Sequence, residues 1–304
     1  DELSEKEVKL VITVDCGTRD IEPIKYAKSL GIDVIVTDHH QCSDPLPTCF
    51  ALINPNRPDR QSGLTHLSGV GVAFYLLLGM RRRWLKLGLI SSDVSMKGML
   101  DCLVLGTLTD MVPLIGENRV FVKHGLFGLS RTERPLMQGL HQKLGLQGKT
   151  LGSSDVAMKI APKLNALSRM EARLSPIDIL WSKPAFSIDV LDEVLQSNVQ
   201  RKAEQEKALN DAMESVHEST FSNCFFSKDI HKGVVGLVAT KLTQFNGRPS
   251  FVGTILGEKV SGSARAADGH SVLNGLRACE KHLVRFGGHH QASGFELDIS
   301  NLQN

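Results

Sequence analysis

Three segments of this chain end in side chains able to hold a cation or move a proton: "VDCG" with Asp15, "TDHH" with Asp38, His39 and His40, and "GTLTDMVPL" with Asp110. Acids and imidazoles at the tips of buried strands are costly unless paired, because an uncompensated charge in low dielectric costs roughly several kcal/mol. A divalent ion removes that cost. Carboxylate and imidazole donors without thiolates suit Mn2+, Mg2+ or Zn2+, and a carboxylate between two such ions about 3.5–4 Å apart is an arrangement that activates water against a phosphoryl centre. The plainer alternative is that His39 and His40 cap a strand or form a surface pair. Asp38 either orients an imidazole or caps the strand turn.

The elements that must position these residues follow from periodicity. "VKLVITVDCG" (8–17) is a β-rich apolar run, "DIEPIKYAKSLGI" (20–32) has helical spacing with Gly31 as its stop, and "DVIVT" and "FALINPN" (50–56) are further short strands. Buried strands joined through a helix predict a parallel sheet with right-handed crossovers, which binds ligands outside its carboxyl ends. From 67 the pattern turns helical, and 94–114 reads as one apolar helix running into Asp110 and stopping before Pro113. Met96, Met99 and Met111 read as core filler. Between 187 and 220, Leu191, Val194, Leu195, Val199, Leu209, Met213 and Val216 recur at helical spacing in a charged stretch without Gly or Pro. The expected fold class is α/β: a parallel-sheet domain over 1–186, a long connecting helix over 187–220, and a smaller mixed α/β domain over 221–304.

Composition sets limits on function. With 304 residues, 41% of them hydrophobic, the chain is long enough for two cores. Its formal charge of +2 excludes binding nucleic acid by bulk charge, so any polyanion site is local. Six cysteines without a C-x-x-C pair argue against a zinc ribbon or a disulfide framework and for a reducing compartment, either bacterial-type cytoplasm or an organelle. No apolar run approaches the ~20 residues of a membrane span, and "DELSEKEVKL" lacks the regions of a signal peptide. A chain that starts without Met and enters a strand at once is expected to be a fragment or a processed product.

Taken together, "VDCG", "TDHH", "INPNRPD" (53–59), "LSGVGVAF" (67–74), "GTLTDMVPL" (106–114), "ENRVFVKHGL" (117–126) and "IAPKLNALSRM" (160–170) resemble the DHH/DHHA1 phosphoesterase superfamily and, within it, the RecJ branch of single-strand-specific 5′→3′ exonucleases. The later segments "IHKGVVGLVATKL" (230–242), "GSARA" (262–266) and "GGHHQASG" (287–294) resemble its DHHA1 domain. The resemblance implies that Asp15 bridges two Mn2+ or Mg2+ ions, that His39 and Asp110 complete the shell of one, and that His40 faces the scissile phosphate with Asp38 behind an imidazole. It further implies substrate contacts from Asn165, Arg169, Arg265, Gly287, Gly288 and His289. His66, His124 and His290 are expected to be ordinary surface or packed histidines.

The implied activity is metal-dependent hydrolysis of single-stranded nucleic acid, expected to be DNA, from its 5′ end, with no membrane partner. "MRRRWLK" (80–86) is compatible either with backbone neutralisation and base stacking or with a solvated helix face. The family's Asp-x-Asp-x-x-Gly segment does not occur before Asp15, so the chain is expected to be N-terminally truncated or degenerate and poorly active as it stands. The resemblance also implies an OB-type domain often placed after DHHA1, and a chain ending at "ELDISNLQN" is expected to show reduced processivity and strand affinity. The alternatives are a phosphodiesterase for oligonucleotides or cyclic dinucleotides, and a nucleic-acid-binding homologue without catalysis.

Overall fold

The computed structural model describes residues 1–42, 44–181, 189–216 and 221–302. By its contacts the chain divides into two compact units, Asp1–Ala161 and Pro162–Asn304. The first opens with α1 (Glu2–Glu5), β1 (Leu10–Val14), α2 (Ile21–Ser29), β2 (Asp33–Thr37) and β3 (Ala51–Ile53). Five helices then follow: α3 (Gly69–Lys86), α4 (Leu100–Thr109), α5 (Gly116–Ser130), α6 (Pro135–Lys143) and the single turn α7 (Ser153–Asp155).

All pairings in the first sheet are parallel, in the order β1-β2-β3, with Val14 opposite Thr37 and Thr37 opposite Ile53. That register sets Asp15 and Asp38 at one carboxyl edge. The core beneath α2 is built on Ile24, Val34 and Val36. β2, in the middle, buries Val34, Val36 and Thr37, whereas β1 at the edge leaves Leu10, Ile12 and Val14 exposed. A continuous apolar run does not reveal which of its strand faces is covered, because that depends on neighbours distant in sequence.

The expected single helix over 94–114 is shorter. A 3-10 turn at Lys97–Met99 leads into α4, and Asp110 is its C-cap. The chain then breaks sharply, with Met111 in the left-handed region at φ 57° and 89% exposed. Met111 is therefore not core filler but an exposed residue in the turn that ends the helix. Met99 is exposed as well.

In the second unit, α8 (Ala161–Arg169, whose first residue belongs to the first unit) and α9 (Pro176–Leu180) precede α10 (Val190–Glu214). A five-stranded sheet follows, made of β4 (Asn223–Ser227), β5 (Ser250–Leu256), β6 (Lys259–Arg265), β7 (Arg285–Gly288) and β8 (Ala292–Asp298), with helices α11 (Val235–Asn246) and α12 (Val272–Ala278). The strand order is β4-β5-β6-β8-β7, parallel only between β4 and β5. One core joins Ala208 and Ala212 of α10 to Val238 and Leu242 of α11 and Val252 of β5; another gathers Val260, Val272, Leu276 and Phe295.

The long helix thus packs as part of the second unit, burying Leu191 and Val194 near its start while Val199 is exposed. The expected domain edges at 186/187 and 220/221 fall at residues 182–188 and 217–220, outside the described ones.

Candidate metal centre

Asp15 follows β1 directly, and its backbone takes φ 63°, a conformation that costs a non-glycine residue roughly 1–3 kcal/mol. Its N–H donates to the Thr37 carbonyl (2.9 Å). The carboxylate lies against Gly69, the first residue of α3, so closely that a Cβ there would stand 2.1 Å from Asp15 Oδ1. Only glycine permits this approach. Ser68 caps the same helix, its Oγ accepting from Gly71 N (3.3 Å), so an acid sits beside the positive end of a helix dipole.

At the end of β2, Asp38 is buried and fully engaged. Its Oδ1 accepts from the backbone N–H groups of His39 (2.7 Å) and His40 (3.2 Å) and meets His40 Nδ1 at 2.7 Å; its Oδ2 accepts from Thr18 N (3.0 Å). Burial pushes the carboxyl pKa up, but hydrogen bonds from His40 and Thr18 overcome it and hold the group far below the usual carboxylate range. Asp38 therefore both caps the turn and orients an imidazole, and that imidazole is His40. The bond to Asp38 in turn raises the His40 pKa, opposed by burial.

The "INPN" landmark acquires a role here that its sequence did not disclose. Asn54 Nδ2 donates to the His40 carbonyl and to Thr18 Oγ1 (both 2.9 Å), and Asn56 Nδ2 donates to the His39 carbonyl (2.5 Å). Two side chains from beyond β3 thus pin the backbone of the Asp-His-His turn.

His39 Nε2 lies 3.1 Å from Asp15 Oδ1 and 3.4 Å from Asp110 Oδ2. It is buried, yet neither carboxylate meets it with hydrogen-bond geometry. Burial lowers the His39 pKa, while Asp15, Asp110 and Asp38 more than offset this and raise it. Ligands at right angles around an ion about 2.1 Å away stand about 3 Å apart, so these separations suit a hard divalent ion, and the mixed nitrogen and carboxylate donors suit Mn2+ or Mg2+. The compact metal-sized cluster is Asp15, His39 and His40, one donor atom of each lying within 4.8 Å of the others; Asp110 stands outside it and approaches it at His39 Nε2.

Asp110 is held through residues whose part was missed by sequence reasoning. Asn118, with no exposed surface, donates from Nδ2 to the His66 carbonyl (2.6 Å) and the Pro113 carbonyl (2.9 Å). His66 Nε2 meets Glu117 Oε2 at 2.9 Å. The loop after Asp110 is thereby tied to the segment that leads into Ser68 and Gly69. The motif "ENR" was visible, but an asparagine one residue into a charged stretch carries no sign of burial.

The remaining site candidates lie in the second unit. Arg265 Nη1 donates to Ser263 Oγ (2.6 Å) and the Ala264 carbonyl (2.8 Å), and Arg169 Nη1 donates to the Gly233 carbonyl (3.1 Å). Burial depresses the pKa of both, and the charge of Arg169 further depresses those of Arg265 and Arg201. Arg201, with a buried, unbonded Nε, is a third cation of this group, one that the sequence reading of the long helix did not single out. Asn165 is exposed. Gly287 and Gly288 form a hairpin opposite Gly294 and Ser293, and a Cβ on Gly288 (φ 135°) would meet Ala292 O at 2.5 Å. His289, exposed at the turn, accompanies them, and His290 Nδ1 meets Ser271 Oγ at 2.8 Å.

Residues 2–107 match the family described as DHH family, N-terminal domain. The match places a DHH-type N-terminal domain in the first third of the chain. It is 34% identical, over 99% of its own length and 38% of the relative's, to the single-stranded-DNA-specific exonuclease RecJ of Bacillus subtilis strain 168. Among solved structures, RecJ from Thermus thermophilus in complex with Mn2+ superposes with TM-score 0.82 at 28% identity, covering 98% of this chain and 44% of that one. The same protein with Mg2+ gives TM-score 0.74 at 28% identity, covering 96% and 41%. The chain spans under half the length of each of the three. None of its described helices is long and apolar enough to cross a membrane.

Proposed function

We propose that the chain carries the core of a metal-dependent exonuclease that hydrolyses phosphodiester bonds of single-stranded DNA from the 5′ end. The observation that carries this reading is the convergence of Asp15 and Asp110 on His39 Nε2 at 3.1 and 3.4 Å. In this reading Asp15, His39 and Asp110 hold Mn2+ or Mg2+, and Asp15, the member nearest the helix N-terminus, is shared with a second ion. The ions, when bound, neutralise phosphoryl oxygens and acidify water. His40, fixed by Asp38, turns its Nε2 toward the scissile phosphate, and the Asn54 and Asn56 bonds keep both imidazoles at a constant height above the sheet.

The second unit supplies phosphate recognition. Arg169 and Arg265 are half-buried guanidinium groups whose pKa values desolvation lowers, that of Arg265 further through the charge of Arg169, so an anion beside them offsets that cost. Asn165, Gly287, Gly288 and His289 contribute contacts to the strand. We divide the protein as a DHH domain (1–186), a connecting helix (187–220) and a DHHA1 domain (221–304), working in a reducing compartment where its six cysteines stay free.

The test is hydrolysis of a 5′-labelled single-stranded oligonucleotide and its blunt duplex with and without Mn2+. Mononucleotides released from the single strand alone, abolished by EDTA and reduced about 10²-fold or more by His39→Ala, are expected. A His39→Ala protein that binds Mn2+ as tightly as the parent would overturn the assignment.

A further inference from the structure

The "MRRRWLK" segment plays no part in the metal centre, and the structure shows what surrounds it. Along α3 runs an open groove of about 480 Å³ lined by Ile53, Tyr75, Leu76, Met80, Arg83 and Trp84. Its floor is clear at Gly79, where a Cβ would meet nothing within 4 Å. Tyr75 and Trp84 are 36% and 41% exposed.

Charge narrows the choice of occupant. Across its 18 residues α3 contains Arg81, Arg82, Arg83 and Lys86 and no acid. Arg81 is committed to the Val94 and Ser92 carbonyls (2.6 and 3.2 Å). Arg82, Arg83 and Lys86 are exposed and form no ion pair among the described residues. Cations in a last helical turn complement the dipole, which accounts for some of this charge. It does not account for two half-exposed rings beside them. Flat apolar surfaces interleaved with unpaired cations match a chain whose bases stack and whose backbone is polyanionic.

The groove adjoins the strand next to the one that leads into the Asp-His-His turn: Ile53, which lines it, accepts at its carbonyl from Asp38 N (3.1 Å). We infer that this groove is a stacking track for single-stranded nucleic acid beyond the nucleotides held at the metal centre, with bases on Tyr75 and Trp84 and phosphates at Arg82, Arg83 and Lys86. The inference rests on the nuclease reading and extends it to a surface outside the DHH and DHHA1 motifs.

Two measurements test it. With Mn2+, KM is compared for 5′-phosphorylated dT2, which occupies only the metal centre, and dT16, which extends into the groove. The parent is expected to favour dT16, and in an Arg83→Glu, Trp84→Ala double variant that length advantage is expected to fall about tenfold. Because the advantage is a ratio within one protein, partial loss of folded enzyme cancels. In a Trp181→Phe background Trp84 is the sole indole of the two in the chain, and dT16 is expected to quench its fluorescence. A double variant that keeps the full length advantage, or a Trp84 that stays silent while dT16 is cut, sinks the groove alone. Self-association that Arg83→Glu abolishes would assign the face to a second copy and overturn the track. If neither oligonucleotide is cut by the parent, the nuclease reading itself falls and takes this inference with it.

Discussion

His141 shows how a single side chain records its surroundings. It is buried in α6 with Nε2 unbonded, and burial alone depresses its pKa. A group whose folded pKa lies below its unfolded value of about 6.5 holds its proton less tightly in the native state, so as pH falls the unfolded chain takes up a proton before the folded one does. Its contribution is intact above the unfolded pKa and is lost as pH falls from about 6.5 toward the folded value. Stability measured by urea unfolding should therefore decline between pH 7 and 5, and His141→Phe should flatten that decline. An identical slope in the variant would show that other groups cause it. Asp38 follows the opposite route: burial disfavours its charge, yet four contacts leave it ionised, because hydrogen bonds to a carboxylate outweigh desolvation when they converge on both oxygens.

Between elements, approach distance decides function. Gly69 places the start of α3 in contact with Asp15, and Gly106 does the same for α4 against α3, where a Cβ would meet Val70 Cγ1 at 2.6 Å. On propensity alone Gly69→Ala should stabilise a helix by about 1 kcal/mol. Here the new methyl must displace the Asp15 carboxylate. The expected result is a folded protein with weakened Mn2+ binding, read by calorimetric titration, and with a helical circular dichroism spectrum like the parent's. Undiminished Mn2+ affinity would mean that Asp15 is not a ligand. Asn118→Ala acts on the same frame from the other side. By leaving two carbonyls unpaired it should cost about 1–3 kcal/mol of stability and loosen Asp110.

For the whole molecule, a net charge of only +2 leaves the affinity for a polyanion to local groups. Each phosphate neutralised on a single strand contributes about −0.7 to the slope of log K against log salt. Arg265→Ala, removing one cation of the second unit, should weaken oligonucleotide binding and make that slope shallower by roughly 0.7. A weaker complex with an unchanged slope would assign Arg265 a packing role, consistent with its bonds to Ser263 and Ala264. Fluorescence anisotropy at several salt concentrations separates the two outcomes.

Much of this protein is local and so was readable in order along the chain. Strands at 8–17 and 33–37, the helix between them, and acids at strand ends follow from side-chain period and from the rule that parallel sheets bind at their carboxyl edge. What the tertiary structure decided is which atoms meet. That His39 rather than His40 lies between two carboxylates, that Asn54, Asn56 and Asn118 hold the frame, and that Arg201 joins the half-buried cations all depend on contacts between segments far apart in sequence. Periodicity says which face of an element is apolar; it is silent on which other element will arrive to cover it, and β1 and Met111 differ from expectation for that reason.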